Sequence, residues 1–280
     1  MCTLTLAWQV FAKTPVALAA TRDEALGRES DPPALRTYGD GRDGTESWDT
    51  HEGITRDEGD RPDSVDYVAP RDRVAGGTWI GLGETGLVVA VTNRWLDVDR
   101  EGDRSRGRLV ADCLTSPSAE AAVRAVERDL AERAYDGFEL VLADDVAAFL
   151  LSYDGGLSVT QLDPGIHVVG NVGGVVNGRE AFTVPERRHD VGRERVETIR
   201  RVASALVPEP GETADGWLDR ASEVFADHEY GACLHGDGFG TRSFTRIRTG
   251  DDPAFWFADG PPCKTDAEPV PLPDRFASDA

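Results

Sequence analysis

Apolar and polar positions alternate along 3–10, TLTLAWQV, where Leu4, Leu6, Trp8 and Val10 fall on one face. That is the two-residue period of a strand. Lys13-Thr14-Pro15 reads as a turn and 16–20 as a second short strand, so the chain opens on a hairpin with Cys2 at its start. The stretch 27–73 is rich in Asp, Gly, Arg and Pro with little periodicity, and it reads as a long surface loop. Segments 77–82 and 87–92 flank Gly83-Glu84-Thr85-Gly86, a second hairpin. Helical spacing then predicts helices over 106–115 and 118–133, the latter capped by Ser118, with Val123, Val126 and Leu130 on one face. Strands follow at 138–143, 147–153, 158–162 and 166–169, with Asp163-Pro164-Gly165 as a turn. Two more helices are expected near 187–206 and 214–226, then a last hairpin over 241–248 and 254–257, then a Pro-rich irregular tail from 261. Strands in hairpin runs and helices in pairs are not βαβ alternation. The pattern predicts an α+β chain of antiparallel sheets with helices layered outside. No linker divides it, so residues 1–280 are expected to form one domain with a surface loop at about 28–73.

Composition adds charge. Lys plus Arg is 30 against 51 Asp plus Glu, a net −21 over 280 residues. Such a field repels nucleic acid and anionic lipid, which disfavours a nucleic-acid partner. Only Lys13 and Lys264 are lysines. An acidic surface almost without Lys resembles that of proteins from salt-loving archaea, so the charge reports the solvent rather than a partner. No stretch approaches the ~20 apolar residues that span a bilayer, and the amino terminus lacks a basic region before an apolar one. A cytoplasmic protein without an integral membrane segment is expected. The cysteines at 2, 113, 233 and 263 form no CxxC pair. Cys233-x-His235 is a weak metal pair with no second pair at the usual ligand spacing. No metal is expected, and Cys233 reads as a partly buried strand residue.

The residues that could do chemistry start with Cys2. Removal of Met1 would leave a thiol and an α-amine on one residue. An α-amine has a pKa near ~8, so it can accept the thiol's proton near neutral pH. Arg22-Asp23-Glu24 sits at the end of the second strand, beside the start of the first. An Arg there favours thiolate, and a carboxylate holds the ammonium or orients the Arg; a surface ion pair is the plainer alternative. Asn93 and Asn171 each close a strand, where an amide could serve an oxyanion hole or simply the turn. Arg242 opens a strand and could be a second cation at the thiolate or an exposed side chain.

These residues carry a resemblance. Met1-Cys2-Thr3 and Arg22-Asp23-Glu24 after Ala19-Ala20 resemble the "NRDE" family, whose eukaryotic members are the transport and Golgi organisation 2 homologues. The likeness continues through Gly76-Gly77-Thr78-Trp79-Ile80-Gly81, 87–93, Arg106-Gly107-Arg108-Leu109-Val110, Tyr135-Asp136-Gly137-Phe138 and Gly240-Thr241-Arg242. Thr21 stands where the family name has Asn. More distantly, Cys2, Arg22, Asp23, Asn93, Asn171 and Arg242 follow the order of functional residues in N-terminal-nucleophile hydrolases of the bile-acid and penicillin V acylase type. That resemblance implies a four-layer αββα sandwich and a cysteine hydrolase acting on an amide, ester or thioester bond of a small molecule. Cys2 would be the nucleophile. Asn171, with a backbone N–H near Asn93, would stabilise the oxyanion, and Arg22, Asp23 and Arg242 would tune the thiol. Trp79, Arg94 and Thr241, in or beside the matching blocks, are expected to bind substrate, with no cofactor. The alternative is a haem- or acyl-lipid-binding trafficking protein, which the transport and Golgi organisation resemblance implies. Cys2, His167, His189, His228 or His235 would then be the haem ligand.

Overall fold

The computed structural model describes residues 2–39, 64–98, 100 and 102–276. The opening hairpin is present as β1 (Leu4–Phe11) and β2 (Thr14–Ala25). The second strand is longer than its apolar run, so Arg22 and Asp23 lie within it rather than after it. Val10 departs from the face expected for it. Gln9 adopts a left-handed backbone (φ 53°) and the pairing slips between Trp8 and Phe11. An extra residue in one strand reverses every side chain beyond it. Leu4, Leu6 and Trp8 therefore face one core and Val10 another.

The expected loop at 27–73 is corrected at both ends. β3 (Ser30–Gly39) and β4 (Ser64–Asp72) are paired strands, and only 40–63 lies outside the described residues. Pro32-Pro33 hid the first of these. Proline cannot donate to a ladder, but β3 is an edge strand and its register slips between Asp31 and Ala34 to pass the pair. Then come β5 (Ile80–Gly83), β6 (Val88–Asn93), α1 (Arg106–Cys113), α2 (Ala119–Glu132), β7 (Phe138–Ala143), β8 (Ala148–Tyr153) and β9 (Leu157–Gln161). After them come β10 (Gly165–Gly170), β11 (Gly173–Val176), β12 (Arg179–Phe182), α3 (His189–Ala205), α4 (Ala214–Ala226), β13 (Phe239–Arg248), β14 (Ala254–Ala258) and β15 (Glu268–Val270). The short strands β11 and β12 were not anticipated, nor was β15 in the tail.

Two antiparallel sheets result. One runs β12-β11-β10-β1-β2-β13-β14-β15 and the other β3-β4-β5-β6-β7-β8-β9. Leu4, Leu6 and Leu18 of the first meet Val68, Ile80 and Val141 of the second in a shared core. On the outer face of the seven-stranded sheet, Leu109 and Val110 of α1 and Val123 and Val126 of α2 pack against Leu140 and Leu142. On the outer face of the eight-stranded sheet, Ile199 of α3 and Trp217 and Phe225 of α4 cover Ala17, Ala19 and Phe244. Three cores between four layers make an αββα sandwich, as the family resemblance implied. Ser118 caps α2 as expected, accepting the Ala121 N–H at 3.2 Å. No helix among the described residues is long and apolar enough to cross a membrane.

Candidate functional site

Cys2 precedes β1, which lies between β2 and β10 in the centre of its sheet. Its position is held from both sides. Thr3 N–H donates to Thr21 Oγ1 at 3.2 Å, and Thr21 N–H donates to the Thr3 carbonyl at 3.0 Å. The Thr that replaces the family's Asn thus grips the chain next to Cys2. On the other side, Cys2 N–H donates to Asn171 Oδ1 at 3.3 Å, and Asn171 Nδ2 donates to the Asn93 carbonyl at 2.7 Å. Asn171 follows β10 and Asn93 ends β6, so one carboxamide, 1 % exposed, ties the two sheets together at Cys2. Trp95 N–H to the Asn171 carbonyl, 2.8 Å, closes the same seam.

A cavity of about 270 Å³ opens at this seam, and Cys2, Arg22, Asp23, Trp79, Asn93 and Arg106 are among its lining residues. Successive strand residues point to opposite faces, and β2 uses this. Arg22 turns toward the other sheet, where its guanidinium lies 4.2 Å from the Trp79 ring centre and Nη2 is 3.3 Å from Asp72 Oδ2. Arg22 is 4 % exposed, and its buried Nη1 has no hydrogen-bond partner among the described residues. Asp72 also accepts Arg28 Nε at 2.8 Å and the N–H groups of Val74 and Ala75. Asp23 takes the opposite direction, accepting the Thr241 hydroxyl at 2.6 Å. It is also 4 % exposed, and burial pushes its carboxyl up to about 6, with Thr241 and Arg195 on α3 among the groups that oppose the rise. Burial likewise pushes the Cys2 thiol up. Asp23 adds to the rise, while the Asp23 backbone N–H and Arg22 oppose it.

Two expected residues are elsewhere. Arg242 is the extra residue of a bulge in β13, between Thr241 opposite Asp23 and Ser243 opposite Arg22. Its Nη1 donates to the Leu26 carbonyl at 2.7 Å, and it is absent from the cavity wall. Arg94 turns away as well. It pairs with Glu139 and lines a separate cavity of about 810 Å³ between β8, β9, β11 and β12. Thr241 lies beneath the site, holding Asp23 and accepting Leu234 N–H at 2.8 Å. Asn171 spends both ends of its amide on positioning, whereas the Asn93 side chain is exposed on the cavity wall. The cation that sequence reasoning missed is Arg106, the first residue of α1. It hydrogen-bonds the Gly137 carbonyl at 2.7 Å and lines the same cavity as Cys2. Its block carried the family resemblance, but nothing in it announced that the helix start faces the thiol.

Away from the cavity, His228, Cys233, His235 and Cys263 converge, with one ligand atom from each all within 4.8 Å of one another. This corrects the expectation of an isolated Cys-x-His pair. His228, five residues before Cys233, and Cys263, 28 residues after His235, join it without forming a second pair at the usual ligand spacing. Cys233 is buried in a bend, not in a strand.

The fold has close counterparts. The penicillin V acylase of Agrobacterium tumefaciens superposes with a TM-score of 0.56 at 15 % identity, covering 99 % of this chain and 88 % of that one. An N-acylethanolamine-hydrolyzing acid amidase orthologue of Caenorhabditis elegans gives 0.51 at 12 % identity, over 88 % and 92 %. A variant of conjugated bile acid hydrolase from Clostridium perfringens gives 0.52 at 9 %, over 100 % and 95 %. At these identities the likeness is one of fold. No curated protein matches the sequence. The sequence model of transport and Golgi organisation 2 matches residues 1–252, nine-tenths of the chain, and the chain belongs to that family.

Proposed function

We propose that this protein is an N-terminal-nucleophile cysteine hydrolase acting on the amide, ester or thioester bond of a small molecule. The observation that supports it most is the Asn171 bridge, which holds the Cys2 nitrogen at 3.3 Å while the thiol stands among Arg22, Arg106 and Asp23. Once Met1 is removed, that nitrogen is a primary amine. The thiol gives it a proton, and the thiolate attacks the substrate carbonyl. The ammonium then protonates the departing amine or alcohol, and water releases the acyl group from the thioester. Arg22 and Arg106 favour the thiolate, and Asp23 favours the ammonium. The exposed amide of Asn93 is placed to donate to the oxyanion, with Asn171 as the positioning residue, an exchange of the roles expected from sequence. Arg22 Nη1 offers a buried donor for the same charge or for an anionic substrate group.

Haem binding finds less support. His167 is engaged at both ring nitrogens, by the Asp163 carbonyl and the Asn177 N–H, and His228 and His235 crowd two thiols and each other.

Intact mass with and without a thiol-reactive electrophile tests the nucleophile, followed by turnover on a panel of acyl amides, esters and thioesters. Loss of Met1, one adduct on Cys2 and a fall in kcat of ~10⁴-fold or more in Cys2→Ala are expected. Retained Met1, or full turnover by Cys2→Ala, would sink the hydrolase reading.

A further inference from the structure

We propose that His228, Cys233, His235 and Cys263 form a structural zinc site. The four side chains come from three places. His228 is in a short 3₁₀ turn after α4, Cys233 and His235 lie before β13, and Cys263 is in a turn after β14. Cys233 Sγ and Cys263 Sγ are 3.5 Å apart, Cys233 Sγ and His235 Nε2 also 3.5 Å, and His235 Nε2 and Cys263 Sγ 3.1 Å. The His228 ring stands edge-on to that of His235, with centroids 5.0 Å apart. A tetrahedral zinc ion with bonds of ~2.3 Å to sulfur and ~2.0 Å to nitrogen places its ligands ~3.8 Å apart for S···S and ~3.5 Å for S···N. These three separations lie within a few tenths of an ångström of that tetrahedron, and the His228 ligand atom lies within 4.8 Å of the other three.

The donor set selects the ion. Two thiolates and two imidazoles are too soft for magnesium or calcium and match Zn²⁺, and four protein ligands fill its coordination, which marks a structural rather than a catalytic centre. Both thiols lose their protons to solvent when the ion enters, so binding weakens as pH falls. The net charge of Zn²⁺ with two thiolates is zero, which suits a site whose Cys233 is buried.

The site has a structural task. It clamps the turn around Cys263 to the segment 228–235. That segment leads directly to the Cys2 cavity: Leu234 N–H donates to Thr241 Oγ1 at 2.8 Å, Thr241 N–H donates to the Leu234 carbonyl at 2.9 Å, and Thr241 Oγ1 donates to Asp23 at 2.6 Å. Zinc would therefore brace Asp23 from behind, whether or not Cys2 catalyses.

The test is elemental analysis of the full-length protein, purified under reducing conditions without a metal-chelating tag. About one Zn²⁺ per chain is expected. Exchange of Zn²⁺ for Co²⁺ should give the intense visible bands of a tetrahedral ion and a thiolate-to-metal band in the near ultraviolet. Cys263→Ser and His228→Gln, chosen because neither side chain is buried, should each weaken Zn²⁺ binding by more than ~10–100-fold, the loss seen when only a supporting residue is removed. Cys2→Ala should keep the ion. Substoichiometric zinc with no Co²⁺ spectrum in the reduced wild-type chain would overturn the site. So would a Cys233–Cys263 disulfide whose reduction brings no metal uptake, or an ion lost with Cys2→Ala but retained in both cluster variants.

Discussion

Asp23 is a buried carboxyl in the wall of the Cys2 cavity. Its carboxyl is moved from an ordinary 3.8 to about 6, mainly by burial. The folded state therefore holds the proton more tightly than the unfolded chain. The sign follows from linkage: the proton-bound form favours folding at low pH, and stability falls as pH rises through the window from 3.8 to about 6. That window corresponds to ~3 kcal/mol. Asp23→Asn cannot ionise, so the difference in unfolding free energy between variant and wild type should shift toward the variant by about this amount between the two ends of the window. Urea midpoints at either end would show it, and parallel curves would mean that Asp23 is solvated after all. A group tolerated at such a cost suits one placed to face an ammonium, and only removal of Met1 creates that ammonium at Cys2. The Arg22–Asp23 pair was legible in the sequence, because adjacent residues on a strand end must point apart. Arg242 was not legible. A bulge at Thr241 and Ser243 sends it to the Leu26 carbonyl, and bulges leave no local signature in one sequence.

At the scale of elements, the approach of α1 to β5 decides whether Arg106 reaches the cavity. Gly77 sits just before β5 with φ +81°, and a Cβ there would lie 2.1 Å from the Gly107 carbonyl carbon. Thr78 N–H donates to the Gly107 carbonyl at 2.9 Å across the same contact. Gly77→Ala combines a left-handed backbone with a backbone clash, for which ~3 kcal/mol or more is expected. The variant should lose stability in thermal melts and, if it folds, react more slowly at Cys2, since Arg106 moves with its helix. A Gly77→Ala protein with wild-type melting and thiol reactivity would show the contact to be loose. Helices were the most legible elements, because Ser118 and the apolar spacing after it are local signals. Strands β3 and β4 were the least. Proline and charge look like loop, at the edge in β3 and inside the sheet in β4, and only the pairing partner reveals a strand.

At the scale of the molecule, −21 charges on 280 residues oppose compaction unless salt screens them. The screening length falls from ~10 Å at ~0.1 M salt to ~3 Å at ~1 M. The melting temperature should therefore rise by roughly 2–8 °C between ~0.1 M and ~2 M KCl, as a gain of roughly 1–2 kcal/mol implies for a chain of this size. Scanning calorimetry across that series checks it, and a flat response would mean that local ion pairs such as Arg104–Asp112 and Arg220–Glu212 already neutralise the field. The zinc site belongs to this scale too, since it joins the end of the chain to the segment that supports Asp23.

Local pattern was enough to specify the hairpin that brings Arg22 to Cys2, the two helix pairs, and hence antiparallel sheets with helices layered outside; the four-layer sandwich came from the family resemblance. Periodicity, caps and turns act over a few residues, and the chain carries them explicitly. Tertiary structure alone decided which cations line the Cys2 cavity, adding Arg106 and leaving out Arg242 and Arg94. It also engaged both ends of the Asn171 amide while leaving the Asn93 side chain exposed, and gathered His228, Cys233, His235 and Cys263 from positions up to 35 apart in sequence. Those outcomes depend on how two sheets stack and where a strand bulges, and packing between distant segments leaves no period to read along the chain.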